Sequence, residues 1–135
     1  MLCPCCSNLS YDKCCKPFHE GKICDSALQL MRSRYSAYAL DKAIYIIETT
    51  HVDNPSYNKD TQKWEEEIRR FSENTSFEKL EIINFSEDGN IAYVTFRAYL
   101  KQNGKDISFT EKSLFEKADG KWLYKIGEIS NEKKT

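Results

Sequence analysis

Long apolar runs, an excess of charge of either sign, and the punctuating residues proline and glycine are all scarce in this 135-residue chain. No stretch approaches the roughly 18 consecutive apolar residues that a membrane-spanning helix requires. Twenty Lys and Arg against 21 Asp and Glu leave a formal charge of −1, so no broad basic field exists to attract nucleic acid. Three prolines and five glycines, beside 40% hydrophobic and 30% charged residues, exclude a fibrous or disordered chain. They describe one folded domain with room for a small appendage. The start, Met1-Leu2-Cys3-Pro4, has neither the charged nor the apolar segment of a secretory signal, and the expected location is a reducing cytoplasm. A glycine-rich phosphate loop, a nucleophile elbow and a paired catalytic constellation are also missing.

What the chain does have is cysteine, concentrated at one end. Five of the six lie at Cys3, Cys5, Cys6, Cys14 and Cys15, in a segment whose only large apolar side chains are Leu9 and Tyr11. Burying one such side chain is worth ~1.5–3 kcal/mol, too little to order the segment. Metal coordination by a short module supplies an apparent ~10–16 kcal/mol. Cys3 and Cys5 are one residue apart, Cys14 and Cys15 are adjacent, and the loop between the pairs can bring four sulfurs together. Four thiolates suit tetrahedral zinc, with an iron–sulfur cluster as the less common occupant, and leave no open position for catalysis. Cys6, His19 and Cys24 are spare donors that could replace one of the four.

Beyond residues 1–24 the pattern changes to that of a core. Ser26 or Asp25 predicts an N-cap, and Ala27, Leu28, Met31, Tyr35, Tyr38 and Ala39 recur at helical spacing. Asp41 predicts the cap of a second helix with Ile44, Ile47 and neighbouring Tyr45 and Ile46 turned inward, fading near Thr50-His51. Asp60 to Phe71 reads as a third, anchored by Trp64, Ile68 and Phe71. The period then becomes alternating, with turn signals at Glu87-Asp88-Gly89-Asn90, Asn103-Gly104 and Asp119-Gly120 separating four strands. Helices followed by hairpin-linked strands give an α+β domain over 25–130, its helices on one face of a curved antiparallel sheet, with 131–135 as a tail. Ala92, Val94, Phe96, Ala98 and Leu100 face one side of that sheet. Ile107, Phe109, Phe115, Trp122, Tyr124 and Ile126 also alternate with polar neighbours. The large apolar residues are in this part, so it is expected to fold without residues 1–24.

Three polar residues are pocket candidates. Glu111 shares its strand register with Ile107, Phe109 and Phe115, which points a carboxylate toward the apolar side, where it needs a partner or a wet cavity. Arg34, on the first helix, is the cation placed nearest to it, as a buried ion pair or as part of a functional pocket. His51, at the end of the second helix, reads more readily as a cap or surface residue than as a base.

The spacing Cys3-Pro4-Cys5, eight residues, Cys14-Cys15 resembles the SEC-C motif, the zinc-binding element at the C-terminus of the SecA translocase. Pro17-Phe18-His19, the run Arg32-Ser33-Arg34-Tyr35-Ser36-Ala37-Tyr38, Glu111-Lys112-Ser113-Leu114-Phe115 and Gly120-Lys121-Trp122 resemble the YchJ family of bacterial proteins. The resemblance covers nearly the whole chain. It implies an SEC-C zinc knuckle over residues 1–24 joined to a nuclear transport factor 2-like domain, a cone of about three helices on a four-stranded sheet. One departure stands out: the family pattern has Gly-Ser-Gly after the second ligand, and this chain has Cys6-Ser7-Asn8. Asparagine tolerates left-handed backbone angles and cysteine does so less readily. Two functions follow from the resemblance. One is a zinc-binding accessory or adaptor protein, whose partners by analogy with SecA would be a chaperone or the ribosome. The other is a small-molecule binder, or an isomerase- or hydrolase-like enzyme, working in the cone's cavity.

Overall fold

The computed structural model describes residues 1–130; the tail expected over 131–135 lies outside the described residues. A 3-10 turn at Tyr11–Lys13 and a four-residue helix α1 (Lys16–His19) belong to the knuckle. Three helices follow, α2 (Ala27–Ala39), α3 (Ala43–Glu48) and α4 (Thr61–Glu73). The sheet comprises β1 (Ser76–Asp88), β2 (Ile91–Gln102), the two-residue β3 (Lys105–Asp106), β4 (Phe109–Ala118) and β5 (Lys121–Ser130). Its order is β1-β2-β4-β5, all antiparallel, with β3 completing the hairpin beside β2. Among the described residues no helix is long and apolar enough to cross a membrane.

Local chemistry accounts for the element boundaries. Ser26 Oγ accepts the Gln29 backbone N–H and so caps α2, while the Gln29 side chain accepts the N–H of Asp25. Asp60 Oδ1 does the same for α4 through Lys63. Asp41, expected to cap α3, does not: it sits in the left-handed region at φ 58°, and its carboxylate accepts from Arg69 of α4 at 3.1 Å. The helix begins without a side-chain cap. Only Ala43 and Ile46 of α3 are buried, and Ile44 points outward, contrary to expectation, because a six-residue helix presents one narrow face to its neighbours. At the Asn103-Gly104 and Asp119-Gly120 turns both residues have positive φ, the geometry whose twist suits a two-residue hairpin loop.

The alternating residues of β2 behave as the pattern requires: Ala92, Val94, Phe96, Ala98 and Leu100 are all buried. They join Leu30, Met31 and Tyr35 of α2, Leu80 of β1, Phe115 of β4 and Trp122 of β5 in one core. A smaller cluster links Ala37 of α2 with Ala43, Ile46, Trp64 and Ile68. Cys3, Cys5, Cys15 and Cys24 belong to the first core, so the knuckle packs into the cone and is not a separate bead. Strand β5 carries one extra residue opposite the Leu114–Phe115 step. This bulge at Lys125 reverses the alternation. Trp122 and Tyr124 face inward before it, Ile126 is turned outward against expectation, and Gly127 takes the inward place opposite Ser113.

Candidate metal centre and cone cavity

The knuckle brings Cys3, Cys5, Cys14 and Cys15 together, their four sulfurs all within 4.8 Å of one another. The Cys5–Cys14 and Cys14–Cys15 separations are 3.6 and 3.9 Å. A tetrahedron with metal–sulfur bonds of about 2.3 Å has edges of about 3.8 Å, so the sulfurs already lie at the spacing such an ion requires. The fold of the loop follows from its backbone. The N–H of Cys3 donates to Leu9 O, that of Cys6 to Cys3 O, and Leu2 bridges Ser10. Cys6 and Asn8 have φ of 65° and 69°, so both positions where the family pattern has glycine do adopt the left-handed conformation.

Thiol chemistry in the cluster is that of four groups competing for one charge. Hydrogen bonding from the Cys15 thiol, with Ser7, Cys3 and Cys14 adding to it, draws Cys5 down to about 4. Burial pushes Cys14 up to about 11, and the bond it gives to Cys5 pushes Cys15 up. Only a cation at the centre would allow all four to ionise together. The spare donors stand elsewhere. Cys6 is exposed, with its sulfur accepting the N–H of Leu80 at 3.4 Å. Cys24 contacts Ser33 and Tyr45. His19 uses both ring nitrogens, Nδ1 against the Tyr11 hydroxyl at 2.7 Å and Nε2 against the Ser33 carbonyl at 2.8 Å. Burial holds it below the ordinary histidine range.

The run from Arg32 to Tyr38 turns out to be the joint between knuckle and cone. Arg32 Nη1 donates to Cys5 O at 2.8 Å, and Ser36 Oγ lies 3.3 Å from Cys3 Sγ. Ser33 ties His19 to Tyr45, while Tyr35 packs edge-on against Phe77. Arg34 and Tyr38 turn the other way, into the cone. Nothing in the helical period separates these roles, and they become visible only when both partners of α2 are in place.

The cone is hollow. A cavity of about 400 Å³ lies between α2, α4 and the sheet, walled by Met31, Trp64, Phe71, Phe77, Phe96, Phe109 and Phe115. Its polar lining is Arg34, Tyr35, Tyr38, Glu111, Ser113 and Tyr124, with Ser56 and the exposed Glu67 at the rim. Glu111 does face inward. Its Oε2 accepts from Ser113 Oγ at 2.5 Å and from the Tyr124 hydroxyl at 3.0 Å. Arg34 lines the same cavity, yet among the described residues no ion pair joins the two. Arg34 Nη1 donates instead to Ile46 O, Thr49 Oγ1 and Thr50 Oγ1 at 3.1, 2.8 and 3.1 Å, and its guanidinium lies 4.7 Å from the centre of the Tyr124 ring. The α3 carbonyl end and two threonine hydroxyls satisfy the cation that the carboxylate was expected to hold. Burial, then the nearby Glu111 carboxylate, pushes the Tyr124 hydroxyl up, so it stays a donor.

His51 is not in the cavity. Its Nδ1 accepts the Asp53 N–H at 2.9 Å and its Nε2 faces Glu116 at 3.5 Å, while its own N–H donates to Tyr124 O to seal the edge of β5. A residue behind the cavity wall that sequence reasoning passed over is Gly127. A methyl group there would fall on the Glu111 carboxyl and the Tyr124 hydroxyl, so the missing side chain is the seat of the carboxylate. A glycine within a strand pattern is a recognised sign of a bulge or close approach, and that signal was present in Tyr124-Lys125-Ile126-Gly127.

Residues 26–127 match the family described as YchJ, middle NTF2-like domain. A UPF0225 protein of Actinobacillus succinogenes is 36% identical over 98% of this chain and 86% of its own length. The solution structure of a SEC-C motif containing protein from Rhodopseudomonas palustris is 34% identical and covers 97% of this chain and 100% of its own, with a TM-score of 0.79. A crystal structure of a SEC-C motif containing protein from Psychrobacter arcticus covers 98% of this chain and 84% of its own at 28% identity, with a TM-score of 0.74.

Proposed function

The chain belongs to the YchJ family, and from that premise we propose that it is a receptor for a small molecule held inside the cone, with a structural zinc ion closing the knuckle. The cavity carries this reading. Protein interiors close to a packing density of about 0.75 and leave few voids larger than a water molecule. A chamber of about 400 Å³ is the size of a ligand site, and its aromatic wall with a few convergent polar groups has the composition of one. Four thiolates with no vacant ligand position favour a structural ion over a catalytic one. Zinc there would supply folding energy, leaving recognition to Arg34, Glu111 and Tyr124. This reading keeps the chain in a reducing compartment such as the cytoplasm, where its six free thiols persist.

The test is a cavity that has been filled. Ala98 lies on the wall and is buried within β2, so Ala98→Phe places a ring in the chamber. Native mass spectrometry after incubation with a lipophilic bacterial extract should show a small-molecule adduct on the parent and none on the folded variant. Equal adducts on both, or none on the parent, would contradict the proposal.

The adaptor reading has one observation of its own. Met1, Leu2 and Leu9 are 76%, 67% and 54% exposed on the knuckle, an apolar tip beside the metal ligands. If that tip docks on a ribosome or chaperone, Leu2→Ser with Leu9→Ser abolishes co-sedimentation while zinc content stays at one per chain. Unchanged co-sedimentation counts against it.

A further inference from the structure

We infer that the cavity takes a neutral molecule with an apolar, ring-sized body and a head group offering one hydrogen-bond donor beside one acceptor, as a primary carboxamide does; this rests on the cavity being a ligand site. The argument is one of charge and unused valence. Arg34 and Glu111 are the two charged residues of the inner lining, and their charges sum to zero. They are not joined to one another, so each keeps capacity for a guest. The three hydrogen bonds of Arg34 all leave from Nη1, which reserves its Nε and Nη2 hydrogens. Both donors to Glu111 reach Oε2, which reserves Oε1.

An anionic head would gain from Arg34 but meet Glu111 and the rim carboxylate of Glu67; a cationic head would gain from Glu111 but meet Arg34. Either would bring an uncompensated charge into an aromatic chamber, where burying charge is expensive. A carboxamide avoids both costs. Its N–H donates to Glu111 Oε1 and its carbonyl accepts from Arg34. The fixed stack of Arg34 on Tyr124 and the seat of Glu111 at Gly127 hold the two groups in place before binding, which reduces the ordering cost. The body then lies among Trp64, Phe71, Phe77, Phe96, Phe109 and Phe115.

The chain has two methionines, Met31 on the cavity wall and the exposed Met1, so methyl-labelled methionine gives a reporter and an internal control in one spectrum. The probes are 2-naphthamide, 2-naphthoate and 2-naphthylmethylammonium, alike in body and different in head charge. The amide should shift Met31 saturably and leave Met1 unmoved, and the two ions should bind at least about tenfold more weakly, a hydrogen bond to a charged partner being worth that factor or more. Glu111→Gln removes the negative charge and keeps the shape, so naphthoate should gain at least about tenfold relative to the amide. Gly127→Ala, which unseats the carboxylate, should weaken the amide. Either ion binding the parent as tightly as the amide overturns the neutral class and leaves the cavity reading standing. No Met31 shift from any probe at millimolar concentration overturns both. Should Glu111→Gln fail to fold, the ranking on the parent still decides.

Discussion

The knuckle and the cone hold themselves together by opposite means. In residues 1–24 four sulfurs converge at the centre, and the large apolar side chains Leu2 and Leu9 are left outside. In the cone most large apolar side chains are inside, packed edge to face on one another around a chamber. The first region buries thiols where a core would bury hydrocarbon; the second leaves a space within its packed core. The comparison teaches that α2 is the element on which both depend, since Arg32 and Ser36 serve the knuckle while Arg34 and Tyr38 serve the cavity. Three of the four metal-site cysteines lie in the cone's own core, so whether the cone is self-sufficient, as expected from the sequence, is a question for the fragment that lacks them.

The comparison breaks most completely if coordination is removed. Cys14→Ser with Cys15→Ser should abolish stoichiometric zinc and cost several kcal/mol of stability, because structural zinc is worth about 10 kcal/mol or more to small modules. A fragment beginning at Asp25 should be loosened in the same way, read as loss of a cooperative thermal transition. Next in size is Arg34→Met, which removes the guanidinium donor from Thr49 Oγ1 and Thr50 Oγ1 and one of the donors to Ile46 O. A loss on the order of 3 kcal/mol is expected in denaturant titration, charged hydrogen bonds contributing about 1.5–3 kcal/mol each. Combined with Glu111→Gln in a double-mutant cycle, it should show only the modest coupling, on the order of 1 kcal/mol, of two groups linked through Tyr124 and not to each other. A coupling near the ~3–5 kcal/mol of a broken buried pair would restore the ion pair.

Smaller effects sharpen the contrast. Cys6→Gly relieves a side chain held at φ 65°, a conformation that costs roughly 1 kcal/mol for L-residues, and should keep the full zinc complement while raising the melting temperature slightly. Loss of zinc in that variant would make Cys6 a ligand. The least effect concerns acid. The folded-state pKa of His19 is depressed by burial, so both states are neutral above the ordinary range, and as pH falls through about 6.5 the unfolded chain takes up the proton first. Stability is therefore fully present above that pH and declines below it until the folded pKa is passed. His19→Gln should flatten this part of the stability–pH curve, and an unchanged slope would place the titration elsewhere.

Much of this was legible in the chain because the signals were local. Four cysteines at fixed spacing, Ser26 before an apolar period, two Asn/Asp-Gly turns and the β2 alternation each carry their physics within a few residues. Glu111 was placed on the inner face by counting alone. Its partner was not, because Arg34 is satisfied by carbonyl and hydroxyl groups of Ile46, Thr49 and Thr50, which no charge pattern reveals. Ile126 was misassigned because one extra residue at Lys125 reverses every side chain after it. Asp41 illustrates the same limit, a cap by composition that tertiary structure diverts to Arg69.

The two tryptophans divide the molecule between them: Trp122 lies in the core shared with the cysteines, Trp64 in the second cluster. The most direct test of a cone organised through its metal site is the indole N–H signal of Trp122 followed by NMR while a chelator withdraws the ion. The account predicts that Trp122 leaves its folded position in step with metal release. A Trp122 signal that stays fixed after the metal is fully removed would contradict it.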